Sequence, residues 1–289
     1  MEYEGIVYRP PSEAGSFIIQ VTIGCAHNKC TFCNMYKGKK FRIRNVKEIY
    51  RDLEEAREIY GHVDRIFLTD GDALVLPMKN LRDILLKIKL LFPECNRVSS
   101  YAAPGDVLAK SQDEMTELKN LGLKMIYMGV ESGSDKILRE IKKGVDSRQI
   151  IEAGKKIKNS GIKLSATFIS GIGGKKYWRE NAVESARVIN SMQPDYVGLL
   201  TLMVEDDTEL CRDVSSGKFQ LLNPREIMLE TRELIKDINI SNCVFRSNHA
   251  SNYVALGGTL SQDKQKLIDE IDGVLKGEKG YKPEEFRLL

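Results

Sequence analysis

Short apolar runs alternating with amphipathic segments are the feature that most constrains this chain. Strand-like runs fall at 17–22, 65–69, 97–101, 124–130, 163–169, 195–201 and 243–246. Helical patterns fill the gaps at 46–60, 80–91, 111–121, 147–160, 181–192 and 224–238. In the first, Val46, Ile49, Tyr50, Leu53 and Ala56 share one face, the 3.6-residue signature of a helix packed on one side. Ser147 is placed to cap its helix, and Gly161 follows the end of that pattern, where a left-handed residue can close the last turn.

Regular βα alternation makes parallel strands joined by right-handed crossovers. Six or seven such units favour a barrel, complete or open, over a doubly wound sheet. The expectation is an α/β fold: a partial (βα)6 TIM-like barrel of parallel strands, with an additional C-terminal strand and helices. An N-terminal extension at 1–16 precedes a barrel core at 17–205. A C-terminal extension at 206–289 is expected to close the barrel and contribute to a substrate site. Residues 205–223, rich in Asp and Ser, read as a long loop, and 261–275 as a closing helix.

With 289 residues, 42% hydrophobic and 29% charged, the chain has ordinary globular composition and can bury one sizeable core. A formal charge of +3 makes no strong case for nucleic acid, although a local patch stays open. The start, Met1-Glu2-Tyr3-Glu4, lacks the basic and apolar regions of a signal peptide. No run approaches the roughly 18 apolar residues of a membrane span, so a cytoplasmic location is expected. In a reducing compartment the six cysteines read as ligands or core residues rather than disulfides.

Three of them, Cys25, Cys30 and Cys33, lie in one short loop after the first strand. A loop can wrap three thiolates around one inorganic centre, and three ligands leave one iron of a cubane open to an outside ligand. Zinc is the competing reading, with His27 as fourth donor; zinc fingers, however, usually set their ligand pairs well apart. Cys95, Cys211 and Cys243 are scattered and read as core or surface residues.

The cysteine loop resembles that of the radical S-adenosylmethionine (SAM) superfamily, and the similarity extends over about residues 15–255. The second cysteine gap and Phe32 match the family's pattern; the first gap has four residues where the family has three. The texture is nearest to Fe–S oxidoreductases related to oxygen-independent coproporphyrinogen oxidase and to tRNA-modifying enzymes. The resemblance implies a [4Fe–4S] cluster on Cys25, Cys30 and Cys33, with SAM chelating the open iron. It implies reductive cleavage of SAM to a 5′-deoxyadenosyl radical that abstracts a substrate hydrogen, and an electron donor such as flavodoxin or ferredoxin.

Three further motifs gain a role from the resemblance. Asp70-Gly71-Asp72 follows the second strand, where relatives carry a Gly-Gly-Glu-like turn for the SAM ammonium; Asp72 is the favoured acid, and a helix-capping turn is the structural alternative. Glu131 ends the fourth strand, where relatives use Glu on the SAM ribose; Ser134 nearby could cap the next helix. Ile172 and Gly173 follow the fifth strand, where relatives pack an apolar residue and glycines on adenine; an ordinary glycine turn competes. All these motifs follow strand C-termini, the ends that face the mouth of a βα barrel.

Two polar segments complete the candidates. Arg246-Ser247-Asn248-His249-Ala250-Ser251-Asn252-Tyr253 ends the seventh strand, and His249 there could transfer a proton. Lys37, Lys39, Lys40, Arg42 and Arg44 form a basic run that reads as solvated surface or as a rim for a phosphate, a carboxylate or the reductant protein. A small-molecule substrate is the leading reading. The alternatives are the same chemistry on a tRNA or peptide, and a non-enzymatic metal-stabilised or electron-transfer barrel. Oligomeric state is not encoded in any feature of the sequence.

Overall fold

A computed structural model describes residues 3–287. Met1 and Glu2, within the start read above, and Leu288 and Leu289, at the far end of the 206–289 extension, lie outside the described residues. The strands are β1 (Phe17–Gln20), β2 (Thr22–Ile23), β3 (Arg42–Ile43), β4 (Arg65–Thr69), β5 (Arg97–Tyr101), β6 (Leu123–Glu131), β7 (Lys163–Ser170), β8 (Tyr196–Thr201), β9 (Cys243–Ser247) and β10 (Leu256–Leu260). The helices are α1 (Val46–Ile59), α2 (Met78–Leu91), α3 (Pro104–Leu108), α4 (Gln112–Asn120), α5 (Asp135–Glu140), α6 (Ser147–Asn159), α7 (Gly174–Met192), α8 (Glu209–Ser215), α9 (Pro224–Asp237) and α10 (Lys264–Leu275). The eight-stranded sheet has the order β1-β4-β5-β6-β7-β8-β9-β10. Pairing is parallel through β1–β4–β5–β6 and β7–β8–β9, β9–β10 is antiparallel, and β2–β3 is a separate antiparallel pair.

The chain divides into two compact units. The first comprises the chain through Asn28, Met35–Met128 and Lys155–Leu164. Here β1, β4, β5 and most of β6 pair in parallel register, as in Ile19↔Leu68 and Ile66↔Val98. Helices α1 and α2 bury Ile49, Leu53 and Ala56, and Leu81, Ile84, Leu85 and Ile88. The segment before β1 is tied to this unit by Glu13. Its buried carboxylate accepts hydrogen bonds from Arg97, Ser99 and Tyr127 at 2.7–3.0 Å. Those donors outweigh burial and hold Glu13 below the usual carboxylate range.

The second unit comprises Lys29–Asn34, Gly129–Gly154 and the chain from Ser165 onward. In it β7, β8 and β9 are parallel, and β10 closes the edge antiparallel to β9. Helix α9 begins with a capping box: Asn223 accepts from the Glu226 N–H, Glu226 returns to the Asn223 N–H, and Pro224 sits in the first turn. The box satisfies two N–H groups that every helix start leaves without an intrahelical partner.

Several local expectations need correction. Ser147 lies inside α6. Asp146 makes the reciprocal cap with Gln149, through N–H···O bonds of 2.8 and 3.0 Å, and the Ser147 N–H instead donates to Asp135. The stretch 205–223 is not a continuous loop: Thr208 accepts from the Cys211 N–H and starts α8. Helix α7 begins at Gly174, seven residues before the apolar periodicity, and carries a kink at Tyr177. Trp178, given no role from sequence, packs on Leu222, Ile227 and Tyr253.

Candidate functional site

Cys25 belongs to the first unit, Cys30 and Cys33 to the second, and all three are half-buried. The Asn28 N–H donates to Cys25 Sγ at 3.4 Å. Asn28 has a left-handed φ of 41°, a conformation Asn tolerates better than most residues. Its side chain anchors on the Tyr36 carbonyl at 3.0 Å.

The turn after β4 is built against this loop. The Gly71 N–H donates to the Gly24 carbonyl at 3.2 Å. A Cβ on Gly71 would stand 3.0 Å from both Cα and Cβ of Cys25, so only glycine permits the approach. Asp70 is fully buried. Its Oδ2 accepts from the Gly24 N–H at 3.0 Å and pairs with Lys39 Nζ at 2.8 Å. Its Oδ1 makes no hydrogen bond among the described residues, although the Tyr36 phenol stands beside the carboxylate. Burial, and then the Asp70 charge, push the Tyr36 phenol well above its ordinary range.

Asp72 is buried as well. Its two oxygens accept from the backbone N–H groups of Leu74 at 2.9 Å and Ala103 at 3.2 Å. Burial and the neighbouring Asp106 carboxyl raise its pKa well above the ordinary carboxylate value. The two acids of the motif are therefore not equivalent, and the orphaned oxygen belongs to Asp70.

In the second unit, the short helix α5 connects the remaining candidates. The Thr31 N–H, between Cys30 and Cys33, donates to the Ile141 carbonyl at 3.0 Å, and the Thr31 carbonyl accepts from Leu210 N–H at 2.9 Å. Phe32 is half-buried in the same segment. Two residues beyond Ile141, Lys143 Nζ pairs with Glu131 Oε1 at 2.9 Å, both side chains 13% exposed. The Glu131 carboxylate occupies the space a Gly129 Cβ would fill, 2.3 Å from Oε1. Ser134 caps α5 through the Ile137 N–H. A Cβ on Gly133 would lie 2.2 Å from the Glu184 carbonyl oxygen, so glycine seats this turn against α7.

Ile172 is buried, and a Cβ on Gly173 would meet Ile137 and the Tyr177 carbonyl at 2.9 Å. The turn's preceding residues are held by Glu230, which sequence reasoning missed. Its Oε2 accepts from the Ser170 hydroxyl at 2.5 Å and the Gly171 N–H at 2.6 Å, and its Oε1 from Asn181 at 2.8 Å. Burial raises its pKa to about 7 despite these bonds. The only sequence signal was an acid at a position that the helical period of α9 turns toward apolar neighbours.

His249 lies in the turn after β9, and its Nδ1 accepts from the Ser251 N–H at 3.2 Å. Burial, then the Lys282 charge, lowers its pKa from the ordinary value. The basic run is largely neutralised: Lys39 pairs with Asp70, Arg42 with Glu4, and Arg44 with Asp52.

The residues fit a cluster and a polar nucleoside. The first unit offers the Cys25 thiol, a glycine cradle at Gly71 that a Cβ would fill and a buried Asp70 oxygen lacking a hydrogen bond, and the second unit offers the Cys30 and Cys33 thiols. No group of three or more His, Cys, Asp and Glu among the described residues is gathered to hold a single metal ion.

A family model described as the radical SAM superfamily matches residues 19–186, which include all three cysteines, Asp70–Asp72, Glu131, Ile172 and Gly173. The chain belongs to the radical SAM superfamily. That family uses a [4Fe–4S] cluster and SAM. Among curated relatives, the chain is 28% identical over 181 residues to an uncharacterised methyltransferase of Pyrococcus horikoshii, covering 62% of this radical SAM chain and 38% of that one. It is 26% identical over 272 residues to the ribosomal protein uS12 methylthiotransferase RimO of Thermosipho melanesiensis, covering 90% and 58%. The chain thus spans a little over a third of the archaeal relative's length and under two thirds of the bacterial one's.

Among solved structures, coproporphyrinogen III oxidase of Escherichia coli, a radical SAM enzyme, aligns with a TM-score of 0.58 at 16% identity, over 94% of this chain and 61% of that one. The methyltransferase TsrM of Kitasatospora setae, with cobalamin and a [4Fe–4S] cluster bound, gives 0.58 at 15% identity, over 70% and 39%. These likenesses are of fold, and the parallel α/β sheet agrees with the partial barrel expected from sequence. No helix among the described residues is long and apolar enough to cross a membrane.

Proposed function

We propose that this chain is a radical SAM enzyme acting on a small molecule. Cys25, Cys30 and Cys33 would hold the [4Fe–4S] cluster, and Phe32 would pack beside SAM. When bound, the cluster and SAM together supply a 5′-deoxyadenosyl radical, and the protein supplies orientation and exclusion of water. Asp70, through its unsatisfied Oδ1, would accept a hydrogen bond from the SAM ammonium. Gly71 keeps that carboxylate close to the cysteine loop. Glu131 would accept the ribose hydroxyl protons, with Lys143 holding its carboxylate in one position. Ile172 and Gly173 would offer an apolar surface and close backbone approach to adenine. His249 would present its Nε2–H to a substrate oxygen.

The observation that carries this reading is the packing of Gly71 on Cys25 beside a buried carboxylate oxygen without a hydrogen bond. Anaerobic reconstitution, addition of dithionite and SAM, and mass spectrometry for 5′-deoxyadenosine test it. Product is expected from the wild type and not from Cys30→Ala; a wild-type chain that forms a cluster but yields none would sink the reading.

A second reading keeps the chemistry but takes a tRNA or peptide substrate. The name of the RimO relative, which aligns with 90% of this chain, favours it. Against its RNA form, three members of the basic run are committed to carboxylates. Salt-dependent RNA binding separates the two readings. A flavodoxin- or ferredoxin-like protein would supply the electron, and the cytoplasm would keep the thiols reduced.

A further inference from the structure

The chain between Tyr281 and Arg287 crosses the turn that follows β9. Arg287 is only 6% exposed. Its Nε donates to the Ser251 carbonyl at 2.6 Å, Nη2 to the Leu202 carbonyl at 2.9 Å, and Nη1 to the Tyr253 hydroxyl at 2.6 Å. The guanidinium also lies 4.1 Å from the centre of the Tyr253 ring. Its carboxylate partner, Glu284, has a side chain that is 66% exposed. Burying a guanidinium is costly unless its N–H groups are filled. Here main-chain carbonyls fill two of them, so the rigid fork joins the chain just beyond β8 to the turn beyond β9.

That turn is fastened on other sides as well. The Lys282 N–H donates to the Tyr253 carbonyl at 2.8 Å, and Lys282 Nζ to the Ala250 carbonyl at 3.1 Å. Asn252 donates to the Leu199 carbonyl and accepts from the Thr201 hydroxyl, both at 2.9 Å. Within the turn, the Ser251 N–H occupies Nδ1 of His249. A neutral imidazole accepting there carries its proton on Nε2, and Nε2 makes no hydrogen bond among the described residues.

We propose that Arg287 is a positioning residue that fixes the 249–253 turn, so that His249 presents a neutral Nε2–H donor to a carbonyl or carboxylate oxygen of a ligand. The ligand-facing role of His249 rests on the function proposed above. The Arg287 contact with the turn does not.

The full-length chain carrying ¹³C-labelled histidine is titrated by NMR as wild type, Arg287→Lys and Arg287→Ala, with His249→Gln assigning the signal. Amide exchange is measured over 249–253. The wild-type His249 is expected to titrate below the ordinary 6.5, because it is buried and faces the Lys282 charge. In both variants its titration moves up toward 6.5, because burial and the approach of Lys282 are relaxed together, while exchange of the 250–253 amides rises by about tenfold or more. Far-UV circular dichroism matching the wild type reports an unchanged fold. Lysine keeps the charge but not the planar fork, so it is not expected to rescue. Should Arg287→Ala fail to fold, Arg287→Lys and Glu284→Gln carry the comparison. Folded variants with unaltered His249 titration and unaltered exchange overturn the proposal. If the turn loosens as expected while added acetate, a carboxylate probe, leaves the wild-type His249 signal unmoved, the positioning contact stands and the role given to His249 falls.

Discussion

Lys143 Nζ stands 2.9 Å from Glu131 Oε1, and the carboxylate lies back over Gly129, where a single added methyl would meet Oε1 at 2.3 Å. The ion pair and the missing side chain together set the direction of the acid at the end of β6. Thr31, between Cys30 and Cys33, bonds to Ile141, two residues before Lys143 in the chain.

Gly129→Ala should therefore displace the Glu131 carboxylate while leaving its charge in place. Equilibrium binding of S-adenosylhomocysteine should weaken by about tenfold, equivalent to about 1.4 kcal/mol. Glu131→Ala should weaken it at least as much, and Lys143→Met less. Unchanged affinity in all three would remove Glu131 from the nucleoside site.

Gly71→Ala forces a methyl to 3.0 Å from Cys25 Cα and Cβ and 3.1 Å from the Gly24 carbonyl oxygen. Overpacking of this kind costs about 1–3 kcal/mol, and backbone must move because backbone is what the methyl meets. The expected result is a folded chain that takes up less iron per polypeptide on anaerobic reconstitution. Wild-type iron content would contradict the fit between the turn and the cysteine loop.

Thr208→Ala removes the cap of α8, a loss of about 1 kcal/mol to the local helix. Leu210, in the first turn of that helix, donates to the Thr31 carbonyl. Fraying at α8 should reach the cysteine segment. Iron loss to a chelator should accelerate in the variant with only a small change in melting temperature.

Glu230 gives a pH signature. Its folded pKa, about 7, lies above its ordinary 4.5, so the folded state binds more protons across that interval. Stability should fall as pH rises from about 4.5 to 7 and level off above, by up to about 3 kcal/mol at 1.36 kcal/mol per pKa unit. Urea titrations at a series of pH values check the slope. Glu230→Gln should flatten this part of the profile. A wild-type profile without that decline would show that the buried carboxyl is stabilised as an anion.

Legibility from sequence followed the range of the interactions involved. The parallel strands at 65–69 and 97–101 were placed to the residue, because amphipathic helical patterns bracket both, and the first is apolar at Ile66, Phe67 and Leu68. The three cysteines and Glu131 stood out as candidates because each falls in a short motif at a strand end. Helices α5 and α8 were missed: at six and seven residues they are too short for a helical period to build up. Their caps, Ser134 and Thr208, are the local signals they leave. Glu230 and Arg287 escaped for another reason. Their partners lie 59–60 residues away at Ser170 and Gly171, and 34–85 residues away at Leu202, Ser251 and Tyr253.

By itself, then, the sequence determined the alternation of strand and helix, and with it a parallel α/β sheet and a thiol-bearing loop at a strand end. Hydrophobic periodicity and cysteine spacing act over a few residues and are written directly in the chain. Only tertiary structure decided which acid of Asp70 and Asp72 keeps an unsatisfied oxygen, since that depends on whether the backbone N–H groups of Leu74 and Ala103 reach it. The pairing of Glu131 with Lys143 and the buried fork of Arg287 were settled the same way. Burial and hydrogen-bond satisfaction are properties of surroundings assembled from distant parts of the chain.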